Sequence, residues 1–271
     1  MRKYSLAHLT VLDLPPPAMV ETARAAGYTH AGLRLLPAAP GGVFYDLAND
    51  AALLRETLAR LKDTGIEIFD VEIIRLGPDF RVETTLPFLD TAATLGARAV
   101  LVAGDDPDPA RLAASYAAFC EAAAPRNLTG DIEFMPWTEV PDIAAARRLV
   151  EASGNPANAG ILVDALHYGR SQGGPSAVAA IPRHLLHYGQ ICDAPAEIPT
   201  TVEGLIHTAR QERLLPGTGG IDITDMLRAL PPDLPLSVEL PNAKLAPARG
   251  PLNWAKDCLA ASKKFAEEAR A

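Results

Sequence analysis

Ala97–Met135 reads ARAVLVAGDDPDPARLAASYAAFCEAAAPRNLTGDIEFM. It opens on a short, largely apolar run, passes through an Ala/Leu-rich amphipathic stretch and closes on a second short apolar run. The junction is marked: Asp108 can cap a helix with its side chain, and Pro109 suits the first helical turn, where no N–H is needed. The stretch predicts a strand at Ala97–Ala103, a helix at Pro109–Ala123 and a strand at Gly130–Met135, one β–α–β unit.

The same alternation runs outward in both directions. Further strands are expected at Ser5–Leu12, His30–Leu35, Ile66–Ile74, Ala159–Asp164, Leu185–Cys192 and Leu236–Leu240. Helices are expected at Ala18–Ala26, Asp50–Thr64, Val82–Leu95, Ile143–Ser153, Pro175–Ile181, Thr201–Arg210 and Asn253–Ala269. Gly27, Gly65 and Gly96 each stand just before a strand, where a left-handed C-cap ends a helix. Eight strands in strict alternation with helices predict a closed parallel (β/α)8 TIM barrel with a C-terminal helix, residues 1–271 forming a single domain.

Four polar residues interrupt otherwise apolar strand ends: Glu133 in DIEFMPW, Asp164 in GILVDALH, Gln190 in HYGQICDAP and Glu239 in LPLSVELP. They are separated by 31, 26 and 49 positions. Alternation puts Glu133 on the face opposite Ile132 and Phe134, and Glu239 opposite Val238 and Leu240. The apolar face meets the helices, so the carboxylates point into the barrel. Burying such groups is costly, and a divalent cation at the point where they converge offsets the cost. The same alternation groups Asp70 with Glu72 and Gly32 with Arg34. The last spacing is long because it holds a helix and the Gly-rich run RLLPGTGG, an insertion expected to cover the site.

Composition narrows the partners. The chain has 271 residues, 48% hydrophobic content and a net charge of −8, a balance that argues against a nucleic-acid ligand. Its three cysteines, Cys120, Cys192 and Cys258, form neither a thiolate metal motif nor a disulfide framework. Buried packing is their expected role, with Cys192 near enough to Gln190 to share its cavity. The N-terminal run reads as a first strand and no apolar run reaches membrane-spanning length, so a cytoplasmic soluble protein is the expectation.

Fragments spread along the chain resemble the xylose isomerase-like sugar isomerase/epimerase superfamily of TIM barrels: ETARAAGYTHAGLRL, EFMPW, LVDALHYGR, QICDAP, RLLPGTGGID and LSVELP, in that order. The D-x-x-H of Asp164–His167 and the R-x-x-P-G-x-G beginning at Arg213 are the most specific. The resemblance implies one divalent metal held by Glu133, Asp164, the position of Gln190 and Glu239. It implies substrate contacts from His167 and from Arg213, as an arginine closing over substrate oxygens. Gln190 departs from the family's usual histidine. Four oxygen donors favour Mn²⁺ or Mg²⁺, with Zn²⁺ or Co²⁺ as lesser candidates; alternatively Gln190 contacts substrate and three residues hold the metal with water.

Arg170, Glu72 and Trp137 join as weaker substrate-binding candidates, each with a plain alternative in a salt bridge or in core packing. Asp164 has one as well, as a cap for the following turn. His8, Arg34, Asp105 and Asp193 have strand-end positions and nothing more.

Such a site suits an isomerase or epimerase of a small sugar, polyol or hydroxy-ketone. Glu133 and Glu239 would exchange protons as a metal-stabilised enediolate forms. A dehydratase of a keto-polyol and a sugar-binding barrel with reduced catalysis are the alternatives. An apurinic-site endonuclease would need more histidines than the six present. The final helix leaves a homodimer open.

Overall fold

The computed structural model describes residues 2–270. Eight parallel strands close on themselves in chain order: β1 Tyr4–Leu6, β2 His30–Arg34, β3 Glu67–Leu76, β4 Ala99–Gly104, β5 Thr129–Glu133, β6 Ala159–Asp164, β7 Gly189–Ile191 and β8 Leu236–Val238. The outer helices are α1 Pro16–Ala26, α2 Ala51–Thr64, α3 Leu86–Thr94, α4 Pro109–Ala123, α5 Ile143–Ala152, α6 Ala165–Arg170, α7 Gly174–Ala179, α8 Val202–Gln211, α9 Ile223–Ala229, α10 Leu245–Arg249 and α11 Pro251–Glu268. The chain is a (β/α)8 TIM barrel. No helix among the described residues is long and apolar enough to cross a membrane.

Local chemistry sets most boundaries where expected. Asp108 caps α4 through the N–H groups of Ala110 and Arg111, with Pro109 in the first turn. Gly27, Gly65 and Gly96 take φ of 95°, 68° and 72°.

Three strands are shorter than the sequence suggests. β1 stops at Leu6, and His8–Val11 coil into a 3₁₀ turn. The turn is tied down by side chains: His8 Nδ1 accepts from Arg34 N at 3.0 Å, and Thr10 Oγ1 donates to Val238 O at 2.8 Å. These bonds replace ladder pairing, which the apolar pattern by itself cannot distinguish. β7 loses its expected start to a 3₁₀ turn at Arg183–Leu185, and β8 ends at Val238, just before Glu239. The helix expected over Val82–Leu95 divides into a 3₁₀ turn, Val82–Thr85, and α3, whose second residue is Pro87. α6, α9 and α10 have five to seven residues, too few to show a helical period.

The barrel interior is split. Phe69, Ile73, Leu101, Met135, Leu162 and Tyr188 pack as an apolar plug, apart from the large core between strands and helices. Elsewhere the interior is polar. Asp70 is buried on β3 in space left by Gly32, where an added Cβ would lie 2.7 Å from its Oδ2.

Candidate metal and substrate site

Register brings the strand-end residues together. Asp164 pairs laterally with Gln190, and Gln190 with Ser237, two residues before Glu239. Glu133, the last residue of β5, pairs with Leu162 of β6. Parallel neighbours in register present their side chains to the same side, so all four polar groups enter the same end of the barrel. All are buried: Glu133 is 4% exposed, Asp164 0%, Gln190 1% and Glu239 3%.

Glu133, Asp164 and His167 place one ligand atom each within 4.8 Å of one another, a group able to hold a metal. His167 Nε2 lies 3.9 Å from both Glu133 Oε1 and Asp164 Oδ1. The end of the Gln190 side chain lies 2.7 Å from Glu133 Oε1 and 3.3 Å from Asp164 Oδ2. With its nitrogen toward them, the amide donates to both carboxylates. With its oxygen toward them, that oxygen lies 2.7 and 3.3 Å from the two carboxylates, near the ~3 Å edge of an octahedron built on ~2.1 Å metal–oxygen bonds. The donors therefore fit a hard divalent cation.

Asp164 serves two purposes. Its Oδ1 accepts from His167 N at 3.0 Å, capping α6, and its Oδ2 accepts from Arg213 Nη1 at 2.7 Å. The cap and the Arg213 pair use different oxygens, so capping leaves Oδ2 available to a charged partner.

Glu239 stands differently from the expectation. It is outside the Glu133–Asp164–His167 group, and its Oε2 is paired with Arg213 Nη2 at 2.9 Å. Arg213 is 2% exposed and also donates to Ala209 O at 2.9 Å and to Cys192 Sγ at 3.3 Å. It is an internal counter-cation joining two of the expected ligands, and it lines the same cavity. With all three carboxylates ionised, Glu133, Asp164 and Glu239 against Arg213 leave two negative charges, which one divalent ion matches.

Burial dominates the titration. It raises Glu133 well above the usual carboxylate range, with Glu239 and Asp164 adding repulsion. Burial pushes Glu239 up to about 7 against the pull of Arg213. Burial also pushes Asp164 up, but Arg213 and His167 outweigh it and leave the group below its ordinary value. His167 falls to about 4 because burial disfavours the imidazolium. It is therefore neutral at pH 7 and able to donate a lone pair.

An inner cavity of ≈ 50 Å³ is lined by Glu72, Glu133, Trp137, His167, Arg213 and Glu239, among others. It shares Leu9, Arg34, Ala38 and Arg210 with a neighbouring cavity of ≈ 480 Å³. Trp137 meets the His167 ring edge-on at 5.0 Å. Glu72 lines the cavity while paired with Arg34, Nη2 to Oε2 at 2.5 Å. Arg170 is not brought to the cavity; its Nη2 donates to Pro195 O.

The Gly-rich run does not cover the site either. Asp193 accepts from the N–H groups of Gly217, Gly219 and Ile221 at 3.1, 2.9 and 3.1 Å, folding the loop onto the end of β7. A Cβ on Gly219 would lie 2.3 Å from both Asp193 Oδ1 and Ala194 O, so close approach explains the glycine. From the insertion, Ala209, Arg210 and Arg213 line the cavity instead. Sequence reasoning missed Arg75 and Arg210 as cavity residues and left Arg34 and Asp193 without roles. The only available signal was position near a strand or helix end.

A family profile described as xylose isomerase-like TIM barrel matches residues 20–264. No curated protein matches the sequence. Among solved structures, a xylose isomerase-like TIM barrel/4-hydroxyphenylpyruvate dioxygenase fusion protein superposes with TM-score 0.83 at 23% identity over 99% of this chain. The match covers 43% of that fusion, so this chain spans less than half of its length. A xylose isomerase domain protein from Alicyclobacillus acidocaldarius gives 0.77 at 20% identity, covering 100% of both chains. The IolI protein, solved with a bound zinc atom, gives 0.78 at 17% identity over 98% of both chains. A D-allulose 3-epimerase from Methylomonas sp., solved with D-allulose, gives 0.71 at 15% identity over 97% of both.

Proposed function

The chain belongs to the xylose isomerase-like TIM-barrel family, and from that membership we propose that it is a divalent-metal-dependent isomerase or epimerase of a small sugar, polyol or hydroxy-ketone. The observation carrying this reading is the gathering of Glu133, Asp164 and His167 ligand atoms within 4.8 Å of one another, with the end of Gln190 2.7 Å from Glu133 and 3.3 Å from Asp164. Glu133, Asp164, Gln190 and Glu239 would hold the ion, with His167 as a further donor. The predominance of oxygen favours Mn²⁺ or Mg²⁺ over Zn²⁺ or Co²⁺. When bound, such an ion polarises a carbonyl and stabilises the negative charge left as the neighbouring carbon loses a proton.

The chain's own residues would move the proton. Glu133 accepts it from one side of the carbon; Glu239 returning one to the other side gives the epimer, whereas return to the former carbonyl carbon, with the hydroxyl proton passing to the other oxygen, gives the isomeric carbonyl. In the metal-free protein burial raises both carboxyls; beside a bound cation both fall, and Glu133 is freed to accept the proton. Arg213 fixes the Glu239 carboxylate and Asp164 in place. Trp137, Ile73, Leu101 and Met135 form the apolar wall that keeps water from the reacting carbon. Dehydration of a β-hydroxy ketone is the second reading. It is favoured by Glu239 standing outside the Glu133–Asp164–His167 group, where its carboxyl would protonate a departing hydroxyl.

Hydrogen exchange in heavy water tests the proposal, with D-allulose, D-fructose and dihydroxyacetone as probes. Carbon-bound exchange should need Mn²⁺ or Mg²⁺, and Glu239→Gln should slow it by about 10²–10⁴-fold while melting as the wild type does. Undiminished exchange in protein shown by elemental analysis to be free of metal rejects the proposal.

A further inference from the structure

Besides Arg213, three arginines, Arg34, Arg75 and Arg210, line the same inner cavity as Glu133, His167 and Glu239. Two of them are neutralised. Arg34 is paired with Glu72, and Arg75 with Asp105 through Nε to Oδ2 at 2.7 Å. Arg210, in the last turn of α8 and partly buried, is not. Among the described residues no carboxylate pairs with it, and the charges bearing on it are those of Arg34 and Arg75. Burial first, and then those two cations, lower its pKa.

A cation in a last helical turn complements the helix dipole. An exposed position would serve that purpose, however, and needs no placement against two other arginines inside a cavity. An unpartnered, partly desolvated guanidinium is unfavourable unless something else completes it. Arg210 also lines the ≈ 480 Å³ cavity, so it stands where the two spaces join. With Arg34 and Arg75 matched by Glu72 and Asp105, and with Glu133, Asp164 and Glu239 matched by Arg213 and a divalent ion, the surplus is one positive charge.

We propose that the substrate of this site carries one carboxylate, received by Arg210 at the junction of the two cavities. The hydroxy-ketone end of the molecule reaches toward Glu133 and Glu239, and its remaining body lies in the larger space. A monoanion matches the single uncompensated charge; a phosphate dianion leaves one negative charge unmatched. The assignment deepens the isomerase or epimerase reading and rests on it for which end of the molecule reacts.

Matched probes test it by calorimetric titration: glycerate beside glycerol, erythronate beside erythritol, and gluconate beside glucitol, with glucitol 6-phosphate as the dianion. Titrations are run once with Mn²⁺ and once with chelator. The carboxylates should bind about ten- to a hundred-fold tighter than their polyols with Mn²⁺ bound, and by a smaller factor in chelator, where two carboxylate charges stand unmatched. Arg210→Met should bring that ratio to about one, and Arg210→Lys should retain part of it. Arg210→Met should melt no lower than wild type, because two repulsions disappear with the charge. Equal behaviour of acids and polyols in the wild type overturns the inference, as does a preference that survives Arg210→Met. Tighter binding of glucitol 6-phosphate than of gluconate overturns the monocarboxylate assignment. Metal-dependent carbon-bound exchange without a carboxylate preference rejects this inference alone, whereas undiminished exchange in metal-free protein that keeps the preference rejects only the metal-dependent chemistry.

Discussion

Arg213→Met is the substitution to which the site is expected to respond most sharply. The guanidinium is 2% exposed and bonds Asp164 at 2.7 Å and Glu239 at 2.9 Å, so its removal leaves two buried carboxylates facing each other. Breaking a buried ion pair from one side costs about 3–5 kcal/mol, and at this chain length each kcal/mol moves Tm by about 2–4 °C. In chelator the variant should melt about 6–20 °C below wild type. Arg213→Lys keeps the charge but not the two-pronged geometry and should fall less. Saturating Mn²⁺ should then help the variant more than the wild type, because the guanidinium no longer shares its carboxylates with the ion. A ten-fold tighter metal Kd adds about 1.4 kcal/mol, or about 3–6 °C. Scanning calorimetry of both proteins, with metal and with chelator, measures the two increments. Equal metal-induced shifts would show that Arg213 and the ion do not share these oxygens, and the proposed donor set would fall.

Gln190→His places a nitrogen donor beside Glu133 and Asp164, and the Zn²⁺ preference over Mg²⁺ should rise about ten-fold or more; competition dialysis followed by elemental analysis checks it. Glu239 has its carboxyl raised from 4.5 to about 7, so the folded protein holds its proton more tightly than the unfolded chain does. Metal-free stability should therefore fall as pH rises from about 4.5 to about 7, and Mn²⁺ affinity should rise over the same window and then level off. Titrations in buffers of different ionisation enthalpy should record proton release near pH 6, and none would contradict the raised carboxyls. Asp193→Ala frees three loop N–H groups and should cost about 3 kcal/mol or more. Faster amide exchange confined to Gly217–Ile221 is the expected signature, and unchanged protection there would refute the anchoring role.

The fold was legible because its signals are local and repeated. Asp108–Pro109 starts a helix, Gly27, Gly65 and Gly96 end them, and apolar runs recur between. The positions of Glu133, Asp164, Gln190 and Glu239 were legible for the same reason, since a polar residue closing an apolar strand is conspicuous in one dimension. Their partners were not. Asp164 and Arg213 are 49 positions apart and touch through a loop whose path no spacing announces. Asp193 holds the Gly-rich run flat through backbone N–H groups, which carry no sequence signature. Arg210 differs from any other helix-end arginine only by what surrounds it. The sequence by itself determined the strand order and the inward faces, because periodicity and capping act within one element. Only the tertiary structure decided which charges are already matched and which one is left for a ligand, because ion pairing depends on distances between elements.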